Sequence, residues 1–202
     1  FVDFSDPAKP DILLSESGRG LLYGNYGSQH LAGGRYFGLA RQGAGFLVFD
    51  LHDRKAERVW LDGFPLCSQT GSVAGMGDEL LVMRAGGYSR FDPRHPVATR
   101  ELIRHKFPGQ DQLPADVPDD SAISRSLFPK SEWEGMPYYD PASGRLAVVN
   151  RIFKNLRTYD FSDREHPKPL KHVELNGNAY APTFWHGRVL LPGGYSGLLL
   201  EK

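Results

Sequence analysis

Hydrophobic residues in this chain come in short runs, each closed by glycine, proline, aspartate or serine. Tyr36-Phe37-Gly38-Leu39, Leu80-Leu81-Val82-Met83, Leu146-Ala147-Val148-Val149 and Val189-Leu190-Leu191 are the clearest. Runs this short, rich in Val, Leu, Tyr and Phe, predict β-strands, because a helix needs ten or more residues with a 3.6-residue period to present one apolar stripe. No amphipathic helix is evident. Each of the four runs follows a turn signal, Gly33-Gly34, Gly77-Asp78, Ser143-Gly144 or His186-Gly187.

A second landmark recurs after each run. Val2-Asp3-Phe4-Ser5-Asp6-Pro7 reappears as Tyr159-Asp160-Phe161-Ser162-Asp163-Arg164, with weaker copies at Phe49-Asp50-Leu51-His52-Asp53 and Phe91-Asp92-Pro93-Arg94-His95-Pro96. The acidic positions are Asp3, Asp50, Asp92, Asp160 and Glu201, at intervals of 47, 42, 68 and 41 residues. From each turn glycine to the next acid is 16, 15, 16 and 14 residues. Two landmarks in one phase define a repeat with units 3–50, 50–92, 92–160 and 160–201. A unit of ~42 residues with four short antiparallel strands is a β-propeller blade. The fold class expected is therefore all-β, with four repeats present and the Asp turn set by a carboxylate that accepts backbone N–H groups just ahead of it.

The phrase Phe1 to Pro10, and again Tyr159 to Pro169, resembles the LVIVD-repeat proteins, a bacterial and archaeal family of surface or exported β-propellers of WD40/YVTN-like design. That resemblance implies a ring of blades used as a platform at the cell surface, in the periplasm or outside the cell, and transfers no catalytic motif. The strand count makes the segment an arc. It opens at the end of a third strand and closes at the end of another, which suits part of a six- to eight-bladed ring whose remaining blades lie in the full-length chain. A four-bladed ring closed by Asp11 to Glu16 is the other arrangement. The long interval carries an insertion over about 107–135, with an acidic, proline-rich first half that reads as mobile and Leu127-Phe128-Pro129 and Trp133 that read as docking groups.

Composition narrows the partners. Twenty-four Lys+Arg balance 24 Asp+Glu, so the chain lacks the positive field of a nucleic-acid binder. No apolar stretch approaches the ~20 residues of a membrane-spanning helix. Cys67 is the single cysteine, which excludes an intrachain disulfide and suits a buried apolar role. Gly18-Arg19-Gly20 and Gly43-Ala44-Gly45 open no helix, so no phosphate cradle and no cofactor is expected.

The function expected is a non-enzymatic platform for a protein or glycan partner. His30 and His186 lie near first strands, where propeller channels are lined. Tyr88, Trp133 and Tyr195 are aromatic groups that rims use for stacking or anchoring. The competing reading is a carbohydrate hydrolase, with Glu134 in Trp133-Glu134-Gly135-Met136-Pro137 as general acid and a second carboxylate such as Asp140, at the 5–5.5 or 6.5–9.5 Å separation that glycosidases need. Asp111, Asp116, Asp119 and Asp120 could supply oxygen ligands to calcium, but without the alternating Asp-x-Asp-x-Asp-Gly spacing they read as a solvated acidic loop.

Overall fold

A computed structural model describes residues 1–15, 28–31, 35–41, 45–61, 73–84, 86–97, 101–114 and 131–202. Its strands are β1 (Val2–Asp3), β2 (Asp11–Ile12), β3 (Ser28–Leu31), β4 (Tyr36–Arg41), β5 (Gly45–His52), β6 (Lys55–Leu61), β7 (Val73–Met76), β8 (Glu79–Arg84), β9 (Gly87–Phe91), β10 (Met136–Asp140), β11 (Arg145–Asn150), β12 (Asn155–Asp160), β13 (Lys168–Glu174), β14 (Thr183–Trp185), β15 (Arg188–Pro192) and β16 (Leu198–Leu200). All pairings are antiparallel between chain neighbours, giving sheets β1-β2, β3-β4-β5-β6, β7-β8-β9, β10-β11-β12-β13 and β14-β15-β16. We call them blades A to E. The fold is an all-β partial propeller.

Each acidic landmark stands on or just after a third strand: Asp3 ends β1, Asp50 lies near the end of β5, Asp92 follows β9, Asp160 ends β12 and Glu201 follows β16. In both four-stranded blades the register between third and fourth strands shifts at one repeat position, Val48/Phe49 and Thr158/Tyr159, immediately before that acid. The carboxylates then shape the chain reversal. Oδ1 of Asp3, Asp92 and Asp160 accepts the backbone N–H two residues on, from Ser5, Arg94 and Ser162, at 2.8, 2.9 and 2.9 Å. The turns between first and second strands need a left-handed residue, and Gly77, Gly144 and Gly187 supply it at φ 77°, 66° and 72°.

The core is the set of gaps between blades. Tyr36 and Val48 of blade B meet Val73, Leu80, Val82 and Phe91 of blade C. From the other face of blade C, Leu81, Met83 and Tyr88 meet Tyr139, Leu146, Val148, Tyr159 and Phe161 of blade D. Met136, Ala147, Val149 and Leu156 of blade D then meet Ala179, Val189 and Leu191 of blade E. The runs Leu80 to Met83 and Leu146 to Val149 are apolar at every position because their strands are covered on both faces. Each such side chain, taken from water to full burial, contributes about 1.5–3 kcal/mol.

Among the described residues blade C has three strands, β7-β8-β9. There the outer edge is a single bridge, with Tyr88 N–H donating to His105 O at 3.1 Å and His105 N–H to Tyr88 O at 2.7 Å. Gln110 carries the segment inward: its amide donates to Gly86 O at 2.9 Å and accepts Phe107 N–H at 3.0 Å. Residues 107–114 and 131–135 thus dock on the structure, with Trp133 packed against the core between blades C and D. Leu127-Phe128-Pro129 lies outside the described residues, as does Cys67.

Candidate binding rim

The turns β11–β12 and β15–β16, and the segments leading into β10 and β14, share one end of blades D and E. Asn150 organises it. This fully buried side chain accepts the N–H groups of Ile152 and Phe153, both at 3.0 Å, and donates to Ser131 O at 3.2 Å and Glu134 O at 2.9 Å. One residue therefore ties the β11–β12 turn to the strand leading into the blade, and lifts Ile152 and Phe153 onto the surface, where both are about half exposed.

Arg151 sits beside them with its guanidinium 4.7 Å from the Tyr180 ring centroid, a cation–π contact. Its Nε is buried without a hydrogen-bond partner. Tyr180 is itself half exposed and is fixed by its N–H to Pro192 O at 2.9 Å. The next loop, a 3-10 turn over Gly194–Ser196, is closed by Gly193 N–H to Gly197 O at 2.7 Å and holds Tyr195 fully in solvent. Ile152, Phe153 and Tyr180, with Arg151 over the Tyr180 ring, and Tyr195 on the neighbouring turn give this end of blades D and E exposed aromatic and aliphatic groups. Tyr180 and Tyr195 of this group stand out in the sequence as aromatic residues near glycines; Ile152, Phe153 and Arg151 do not.

The other candidates are dispersed. Trp133 neighbours this rim but is a structural group: Arg157 lies 4.4 Å over its ring, bonds Glu132 Oε2 at 2.9 Å and Asn155 Oδ1 at 3.0 Å, and also bonds the Glu132 carbonyl. Tyr88, expected at a rim, is 3% exposed in the core between blades C and D, stacked on His105 and tilted against Phe107. Burial raises its hydroxyl pKa, as it does for Tyr159. His186, at φ 49° in the β14–β15 turn, stands at the opposite end of blade E beside Trp185. His30 lies in β3 of blade B, paired with Phe37 of β4 in the same sheet and away from the rim of blades D and E.

Glu134 is 2% exposed and precedes β10, whereas Asp140 ends it. At a strand rise of ~3.3 Å per residue that strand alone sets them roughly 13 Å apart, outside both glycosidase separations. Asp140 instead accepts Ala142 N–H at 3.3 Å and Ser143 Oγ at 2.5 Å in its turn. Asp111 is exposed, and Asp116, Asp119 and Asp120 lie outside the described residues. Among the described residues no three His, Cys, Asp or Glu side chains gather as metal ligands.

No family model and no curated relative matches the chain. Among solved structures, the WD40 domain of Toxoplasma gondii coronin aligns with 86% of this chain and 43% of its own, at 12% identity and a TM-score of 0.53. BamB from Moraxella catarrhalis aligns with 82% of this chain and 40% of its own, at 10% identity and 0.47. The propeller domain of Cps50 (Swd1) from Myceliophteria thermophila gives 83% and 48%, at 15% identity and 0.49. The coronin likeness shows a β-propeller fold. The chain spans less than half the length of each of these structures.

Proposed function

We propose that the chain is an arc of a six- to eight-bladed propeller acting as a non-enzymatic platform, and that the rim of blades D and E holds a protein partner. One observation carries this reading: Ile152, Phe153, Tyr180 and Tyr195 are all exposed on adjoining turns at one end of blades D and E, with Arg151 over the Tyr180 ring. Aromatic and arginine groups dominate the energetics of protein interfaces, and here their backbones are pinned by Asn150, Pro192 and the Gly193–Gly197 bond, so little ordering cost falls on binding. A glycan stacked on Tyr180 and Tyr195 is the same surface used by another ligand. Export to the periplasm or cell surface rests on the LVIVD resemblance of Phe1 to Pro10 and Tyr159 to Pro169.

The test is site-directed photocrosslinking in the native host, with a photoreactive phenylalanine at Tyr195 or, as control, at His186. The expected result is a discrete protein adduct from position 195, lost in Phe153→Asp and absent from position 186. Equal labelling at both ends, or turnover of a glycan panel by the purified chain, overturns the reading.

A further inference from the structure

Arg35, Arg90, Arg94, Arg145, Arg157 and Arg164 each hold a carboxylate at 2.7–3.1 Å. Arg151 holds none among the described residues. Its guanidinium rests 4.7 Å from the Tyr180 ring centroid, and its Nε is closed off from water with no acceptor beside it. Stacking on an aromatic face leaves the N–H edge of a guanidinium free, and that planar edge matches the two oxygens of a carboxylate.

The turn that carries Arg151 is held at both ends. Asn150 fixes its start through Ile152 and Phe153 N–H, and at its finish Lys154 O accepts Leu175 N–H at 2.7 Å. Lys154, exposed and at φ 50°, adds a second cation to the same turn. Neighbouring acids do not cancel these charges: Glu132 bonds Arg157, Glu134 is buried, and Glu174, the exposed last residue of β13, ion-pairs with neither cation among the described residues.

We propose that Arg151 receives an acidic side chain of the rim's protein partner, an Asp or Glu standing next to a large apolar residue. Resting on the platform reading, this site gives the partner its chemistry. The charge of the turn selects an anion, and complementarity of this kind sets specificity and association rate. Ile152 and Phe153 follow Arg151 directly and are about half exposed, so a ligand that reaches the guanidinium also meets apolar surface. A bare inorganic anion would leave that surface unused.

The experiment is selection of a phage-displayed library of random linear peptides on the purified whole chain, followed by affinity measurement with the enriched peptides. Enrichment of Asp or Glu beside an aromatic or branched aliphatic residue is expected. Replacing that acid in the peptide by its amide should weaken binding about three- to tenfold, as should Arg151→Gln, with Arg151→Lys in between. Raising NaCl from ~50 to ~300 mM should weaken the acidic peptide and not its amide. The amide swap leaves the protein untouched, so its result is independent of how the variants fold. Enriched peptides without an acid, or an amide swap without effect, overturn the assignment and leave the platform reading standing. Equal binding of the acidic peptide to Arg151→Gln or Phe153→Asp also overturns it, by placing the acid elsewhere on the chain. No enriched peptide at all overturns both.

Discussion

Identical words in the sequence take opposite places in the molecule. Gly86-Gly87-Tyr88-Ser89 and Gly193-Gly194-Tyr195-Ser196 read alike, yet Tyr88 is core and Tyr195 is solvent. The difference is what lies above them: the insertion covers the end of blade C, and blade E ends in an open 3-10 turn. No local pattern encodes that. Asn150 was equally silent, because its value lies in four bonds to residues 131–153 that only folding assembles. Asn150→Ala strands buried backbone groups and should cost about 1–3 kcal/mol, read as a lower urea midpoint at unchanged slope. Glu201 gives a pH signature. Burial pushes its carboxyl up, but Arg145, Val189 N–H and Lys171 outweigh that and hold it at about 2, below the ordinary 4.5. A depressed folded pKa adds stability that is complete above pH 4.5 and lost as pH falls toward 2, about 1–2 kcal/mol after solvent screening. Glu201→Gln should remove that part of the acid dependence of the urea midpoint.

At the scale of strands, the sequence is legible wherever a run is buried on both faces. Leu80 to Met83 and Leu146 to Val149 fall inside β8 and β11, and the Gly turns and Asp landmarks bracket them. Outer strands were not readable this way. β13 is exposed along its whole length, so its residues carry no apolar signature, and among the described residues blade C carries at its outer edge one isolated bridge. That bridge depends on a close approach. A Cβ on Gly87 would stand 2.4 Å from His105 O and 2.6 Å from Leu113, so Gly87→Ala must push the insertion off the sheet edge. The expected loss is about 2 kcal/mol, or roughly 4–8 °C in Tm for a domain this size, with faster hydrogen exchange at the Tyr88 and His105 amides.

At the scale of the whole molecule, each sheet is finished by its neighbour. Ion pairs strap blades C and D at the end away from the rim: Arg164 reaches Asp78 at 3.1 Å, Arg94 reaches the same carboxylate at 3.1 Å, and Arg90 bonds Glu79 at 2.7 Å and also Glu165. These groups are partly solvated, so Asp78→Asn should cost no more than about 1 kcal/mol in thermal or urea unfolding, far less than an interblade leucine. The periodicity of the sequence carried this architecture; the binding rim, built from four separate segments, was not written in any one of them. Blades packed side by side in chain order bring specific aromatic rings together, and one spectrum reads that directly. Aromatic NOEs should join Phe1 to Phe37, Tyr88 to Phe161 and Tyr138 to Phe184, whose ring centroids lie 5.2, 5.4 and 6.2 Å apart across three different blade boundaries. Absence of those cross-peaks in the folded chain, with NOEs instead between rings of non-consecutive blades, would contradict it.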